Sequence, residues 1–169
     1  IIFVDEPYMS SFGSGFVSLS RNQVLTMLEE VLAGIEGLKG VHCCGNTDWS
    51  ILLESSVDIL NLDAYEYAES LSLYPDAVSA FLDRGGIIAW GIVPASPAAT
   101  GETVDGLLDR LLKAMDLLVQ KGVSLDKLLA AGLVTPSCGV GSLDPQVAER
   151  VLGLAAGVSA QMRARYVTT

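Results

Sequence analysis

The hydrophobic residues of this chain follow a pattern that occurs five times in succession. Each time, a short and largely apolar run is followed by a segment in which apolar residues have helical spacing. Short continuous apolar runs are typical of strands that are buried on both faces of a parallel sheet. Strand and helix in strict succession predict right-handed crossovers between neighbouring parallel strands. The predicted strands are Ile1–Val4, Gly40–Cys44, Val57–Leu62, Ile87–Val93 and Leu133–Thr135.

Helix-start signals follow most of these runs. Ser20 and Gln23 form a capping-box pattern before a helix whose apolar residues run from Val24 to Ile35. Pro75 suits the first turn of a helix that runs to Arg84 and stops at two glycines. The remaining elements predicted are a loop over Tyr8–Ser18, short helices capped at Thr47 or Asp48 and at Ser124, a helix over Val104–Gln120, and a helix from Asp144–Pro145 toward Arg165.

Polar or ligand-type side chains follow most of the predicted strands. In a (β/α)8 barrel such positions converge on one face, where active sites lie. A doubly wound open sheet also gathers ligands at its strand ends, but no Gly-x-Gly-x-x-Gly follows the first strand here. We therefore expect an α/β fold of the (β/α)8 TIM-barrel type, of which the chain holds the last five βα units. The polar residues are Asp5, His42 with Cys44, Asp63, Ser96 and Cys138.

Length and composition limit the class of protein. A chain of 169 residues fits one domain over residues 1–169, and 50% hydrophobic residues with a mean hydropathy of +0.45 exclude disorder. The net charge of −10 argues against binding to nucleic acid or an anionic membrane surface. Without a secretory signal at its start, the chain is expected to be cytoplasmic. Because it begins at Ile1 inside an apolar run, we expect a fragment or a processed chain.

His42 and Cys44 are two residues apart, so in an extended strand they project to the same side while Cys43 points away. Imidazole and thiolate together are ligands that zinc selects. With Cys138 they make the three-ligand set that a catalytic zinc site keeps while leaving one position open. Two alternatives remain open from the residues alone: cysteines and a histidine buried in the core, and a disulfide that leaves one cysteine unpaired.

Three motifs occur in order along the chain: Val4-Asp5-Glu6-Pro7, His42-x-Cys44 and Pro136-Ser137-Cys138-Gly139. They resemble the Asp-Glu-Pro strand end, the His-x-Cys zinc pair and the Asn-Pro-Asp-Cys-Gly segment of cobalamin-independent methionine synthase. The stretch from His42 to Asn46 is also similar to the His-x-Cys-Gly-Asn of the uroporphyrinogen-decarboxylase-like barrels that methylate coenzyme M. The resemblance covers essentially the whole chain and implies that zinc is bound by His42, Cys44 and Cys138.

The resemblance also implies a carboxylate ligand. The family has a glutamate in an Ile-x-Ile-Glu pattern, where this chain has Leu60-Asn61-Leu62-Asp63. Asp63 is therefore the candidate ligand, displaced when substrate binds, although it is one methylene shorter and Glu66 is a second candidate. The alternative is that Asp63 only caps the local turn.

Asp5 matches the aspartate that is associated with the substrate amino group in the synthases. The alternative for Asp5 is a strand-end carboxylate held by backbone amides. Glu6 is a candidate hydrogen-bond partner for a ligating imidazole.

The function implied is a zinc-dependent methyltransferase that activates a homocysteine-like thiol as its thiolate. The expected partners are a small-molecule thiol and a methyl donor, either methyltetrahydrofolate or a methyl-corrinoid protein. The alternatives are a corrinoid-dependent coenzyme M type methyltransferase, a metal-free decarboxylase-like barrel and a non-catalytic domain. Because the first and last predicted strands would expose apolar edges, we also expect an oligomer or a missing N-terminal segment that closes the barrel.

Overall fold

The five apolar runs form one five-stranded parallel sheet in the computed structural model, which describes residues 1–12 and 18–167. The strands lie in the order in which they occur along the chain, and every neighbouring pair is parallel. All five predicted strands are confirmed, with bounds that differ by at most two residues. They are β1 (Ile2–Asp5), β2 (Lys39–Cys43), β3 (Ile59–Leu62), β4 (Ile87–Val93) and β5 (Gly132–Pro136).

Helices connect the strands. Ser20 and Gln23 make the predicted capping box, and Asp48, Ser124 and Asp144 accept hydrogen bonds from the first turns of the helices that they precede. Within the described residues the α-helices are α1 (Arg21–Ala33), α2 (Trp49–Glu54), α3 (Ala64–Leu71), α4 (Pro75–Asp83), α5 (Val104–Val119), α6 (Leu125–Ala130) and α7 (Pro145–Tyr166).

Local structure differs from expectation in four places, one of which is an unpredicted 3-10 helix over Pro97–Gly101. Pro7–Ser11 is a 3-10 helix, begun by the fixed backbone of Pro7, where a loop was predicted over Tyr8–Ser18; residues 13–17 of that loop lie outside the described residues. Helix α3 was not predicted. Strand β2 ends at Cys43, so Cys44 lies in the loop beyond it.

The sheet has two chemically different faces. Val41, Leu60 and Ile88 are paired in register across three strands. They are examples of the alternate residues of β2, β3 and β4 that face the helices and belong to the hydrophobic core. The positions between them form the opposite face, because side chains alternate along a strand. One row of that face runs from Asp5 through His42 to Asn61. We call the face that carries this row the polar face.

The sheet is open rather than closed into a barrel. Strands β1 and β5 are its edges, and within the described residues neither pairs with a further strand on its outer side. Apolar side chains are exposed along both edges: Ile2 is 52% exposed, Phe3 46% and Leu133 45%. In the described part of the chain, no helix is both long and apolar enough to cross a membrane.

We expect the unpaired edge of β1 to make the chain self-associate, since an exposed apolar edge strand offers free backbone groups to another strand. Light scattering of the wild-type chain should give a mass above that of a monomer. Ile2→Lys should shift the mass toward the monomer, because a charged edge residue opposes strand pairing. Leu152→Lys on α7 is the control, since Leu152 is 54% exposed but belongs to a helix that packs on β4 and β5 rather than to the edge strand β1. A monomeric wild-type chain with a cooperative melt would contradict the expectation.

Candidate metal centre

His42 occupies the centre of the candidate site. It lies near the end of β2, in register with Asp5 on one side and Asn61 on the other. Its side chain is only 9% exposed, and neither Nδ1 nor Nε2 has a hydrogen-bond partner among the described residues. Leaving a buried polar group unpaired costs about 1–3 kcal/mol, so such groups are rare. A ring nitrogen with a free lone pair is what a zinc ligand requires. His42 therefore fits the predicted role.

The three cysteines differ sharply in their environment. Cys43 faces the helices and is fully buried in the core, whereas Cys44 and Cys138 are exposed. Burial raises the pKa of the Cys43 thiol, and its Sγ lies 3.4 Å from the Gly45 carbonyl oxygen. None of the three forms a disulfide. As predicted, Cys43 points away from His42, and the two exposed thiols are the ones that the motifs single out.

The loop that carries Cys44 is held by the segment after β1. The Glu6 amide donates to the His42 carbonyl over 2.9 Å, and the Thr47 hydroxyl donates to the Met9 carbonyl over 2.7 Å. Gly45 packs directly against Ser10, where a Cβ atom on residue 45 would approach the Ser10 Cβ to 2.5 Å. The glycine after the His-x-Cys pair therefore lets the two loops meet.

Asp63 follows β3 and caps α3. Its Oδ1 accepts from the Glu66 amide over 3.0 Å, so the capping role considered for this residue is confirmed. Burial raises the pKa of Asp63, while the Glu66 amide and, more weakly, the nearby His42 lower it. A carboxylate has a second oxygen, so capping through Oδ1 leaves Oδ2 available to a ligand. The side chain of Glu66 is exposed.

Cys138 follows β5 in a segment that is fixed to the end of β4. The Ser137 amide donates to the Val93 carbonyl over 2.8 Å, and the Ser137 hydroxyl accepts from the Ala95 amide over 3.0 Å. Three strand spacings separate β2 from β5, which is about 14 Å across a flat sheet. Among residues 1–12 and 18–167, no group of three or more His, Cys, Asp or Glu side chains stands close enough to hold a metal ion.

The structure thus places the predicted residues at one end of the sheet without bringing three ligands together. His42 and Asp63 come from neighbouring strands, and the proximity of His42 slightly opposes the rise in the pKa of Asp63 that burial causes. Asp5 is exposed beside His42 in the same row. Cys44 and Cys138 lie on the loops beyond β2 and β5.

Sequence reasoning missed Asn61 and Thr135. Asn61 lies inside an apolar run and belongs to the same row as His42, and its Nδ2 donates to the Thr135 hydroxyl over 2.9 Å. A single polar residue inside a predicted buried strand was the available signal, because such a residue needs partners there. Together these side chains extend the polar face from β1 to β5.

Strand order and register define an α/β protein built from consecutive βα units. No protein-family model and no curated protein matches the sequence. Among solved structures, the chain is similar to a B12-independent methionine synthase from Shewanella sp. W3-18-1 in complex with selenomethionine, with a TM-score of 0.62 and 22% identity. The match covers 96% of this chain and 48% of the synthase, so the chain spans about half of that protein's length. The comparison shows a shared fold and agrees with the resemblance found in the three motifs.

We predict that thiol-specific alkylation of the native chain will modify Cys44 and Cys138 but spare Cys43. Cys43 is fully buried, and burial also disfavours its reactive thiolate by raising its pKa. Its alkylation should be about 100-fold slower or more, since it requires local opening of the core. Peptide mass spectrometry after a short exposure to the alkylating reagent gives the alkylation rate of each cysteine. Labelling in denaturant is the control, because all three cysteines should then react. Equal rates in the native chain would contradict the burial of Cys43.

Proposed function

We propose that this chain provides the zinc-binding part of a methyltransferase of the methionine-synthase type, which transfers a methyl group to the sulfur of a small thiol. The observation that supports it most is His42, a buried imidazole whose two nitrogens have no partner in the described part of the chain. It lies at the carboxyl end of a parallel sheet, the end at which α/β folds place their active sites.

The proposed ligands are His42, Cys44, Cys138 and the carboxylate of Asp63. This donor set suits zinc, which takes nitrogen, sulfur and carboxylate oxygen in four-coordinate sites. Cys44 and Cys138 lie on exposed loops, so side-chain rotation and loop adjustment can bring them toward His42 when the ion binds. Such coupling of local order to metal binding is common.

Zinc held by these residues would lower the pKa of a substrate thiol, so that the nucleophilic thiolate is available near neutral pH. The ligand side chains would determine which chemistry the bound ion supports. Two cysteine ligands favour sulfur chemistry, whereas hydrolytic zinc sites more often use histidine and carboxylate ligands. Asp63 would supply the fourth ligand at the position that the substrate thiol also uses, and the hydrogen bond from the Glu66 amide would keep its carboxylate at the start of α3.

Asp5 would bind the ammonium group of an amino-acid thiol. Its carboxylate is exposed on the polar face, directly beside His42 in the sheet register. An ammonium group bound there would hold the thiol close to the zinc ligands.

We expect the wild-type chain to bind about one zinc ion, and Cys138→Ser to weaken zinc binding by more than the 10–100-fold that changes outside the ligand shell usually cause. A hydroxyl is a poorer ligand for this ion than a thiolate. Cys44→Ser should have the same effect. Cys43→Ala is the matched control, because Cys43 faces the core. Titration with a competing chelator measures the zinc affinity of the wild-type chain and of the three variants. Full affinity in Cys138→Ser, or lost affinity in Cys43→Ala, would contradict the ligand assignment.

A second expectation concerns Asp5→Asn. This change should raise the KM for homocysteine by about tenfold or more, since a charge-assisted hydrogen bond to the ammonium is worth about 1.5–3 kcal/mol. The KM for coenzyme M, which has no ammonium group, should stay the same. Thioether formation is measured with methyltetrahydrofolate and with a methyl-corrinoid protein as alternative donors. Equal effects on the two thiols would contradict the role given to Asp5.

A further inference from the structure

Asn61 lies in the middle of the polar face with a fixed orientation. Its Nδ2 donates to the Ala89 carbonyl and to the Thr135 hydroxyl, both over 2.9 Å. A carbonyl oxygen can only accept, so the amide nitrogen must be the atom that faces Ala89. The chemistry of the contacts therefore fixes which way the amide points, and both amide hydrogens are committed toward β4 and β5.

What the side chain still offers is its carbonyl oxygen, Oδ1. Strand β3 lies between β2 and β4, so an amide whose nitrogen faces β4 turns its oxygen toward β2. The residue of β2 in register with Asn61 is His42. The two side chains project from the same face of the sheet, on adjacent strands.

His42 needs such an acceptor. A neutral imidazole carries one N–H and one nitrogen lone pair, and both nitrogens of His42 are buried without a partner among the described residues. A histidine that binds a metal through one nitrogen almost always donates its other N–H to an oxygen nearby, which fixes the tautomer and the ring orientation.

We propose that Asn61 is the positioning residue for His42, its Oδ1 accepting the N–H of the ring nitrogen that does not bind the metal. The contact requires rotation of the imidazole about its terminal side-chain torsion, which is a broad and soft one. Asp5 is in register with His42 on the strand at the other side of β2, but it is exposed and lies on the edge strand. Asn61 is already held by two hydrogen bonds, so little rotamer entropy is lost when it accepts a third.

The value of this contact for catalysis rests on the proposed zinc site, whereas the hydrogen bond itself can be tested without metal. The chain contains one histidine, so every imidazole signal in a nitrogen-15 spectrum belongs to His42. Long-range proton–nitrogen spectra distinguish the protonated ring nitrogen from the unprotonated one. At alkaline pH and without zinc, the wild-type chain should show one dominant tautomer.

Asn61→Leu should change the tautomer ratio about fivefold, the size expected for the loss of one hydrogen bond. Thr135→Val removes one of the two contacts that orient Asn61 and should change the ratio in the same direction by less. Thr135→Ser keeps the hydroxyl and should restore the wild-type ratio. If Asn61→Leu does not fold, the tautomer ratio of His42 in Thr135→Val still tests the role of Asn61. Asp5→Asn should leave the ratio unchanged.

A wild-type ring that exchanges between both tautomers, or a ratio that responds to Asp5→Asn instead of Asn61→Leu, would overturn the proposal. The zinc affinity is the second readout, and Asn61→Leu should lower it 10–100-fold while all four ligands remain. If the wild-type chain bound no zinc, the proposed function would fail. The tautomer ratios would still decide the role of Asn61.

Discussion

Strand pairing on both sides of β2 decides which way each residue from Val41 to Cys43 faces. Val41 and Cys43 are fully buried against the helices, and His42 between them faces the opposite side. A register shift of one residue would exchange these two sets, moving the imidazole into the apolar core. Burying a side chain such as Val41 stabilises the fold by about 1.5–3 kcal/mol, so core packing holds His42 at the candidate site.

The need to bury apolar side chains against the helices also explains why much of the fold could be predicted from the sequence. Continuous apolar runs and capping residues are local signals, and they predicted the bounds of β4 and the start of α1 correctly. Helix α3 was not predicted because its capping residue, Asp63, is also a metal-ligand type, and because the helix is short and departs from helical geometry at Tyr67. One carboxylate can both cap a helix and bind a ligand, and the sequence does not separate the two roles.

The candidate site was predictable only in part, since its remaining features depend on distant parts of the chain. The partners of Asn61 lie 28 and 74 residues further along. Its orientation therefore follows from strand order, which no local motif encodes. The exposure of Cys138 depends similarly on how Ser137 is bound to the end of β4. The three motifs predicted the candidate residues, and the structure places those residues at one end of the sheet.

The candidate site departs from the usual rule that buried polar groups are paired. A buried histidine with two unpaired nitrogens opposes stability, and so does a carboxylate whose pKa is raised by burial. Departures of this kind concentrate at functional sites. Here they occur on neighbouring strands at the carboxyl end of the sheet, which supports the proposal that His42 and Asp63 belong to one metal centre.

X-ray absorption at the zinc edge of the loaded chain tests that centre most directly. The account predicts two sulfur ligands at about 2.3 Å together with nitrogen or oxygen ligands at about 2.0–2.2 Å. In Cys138→Ser, any zinc that remains bound should have one sulfur ligand. A first shell without sulfur in the wild-type chain, or one that keeps both sulfurs in Cys138→Ser, would contradict the assignment of Cys44 and Cys138 as ligands.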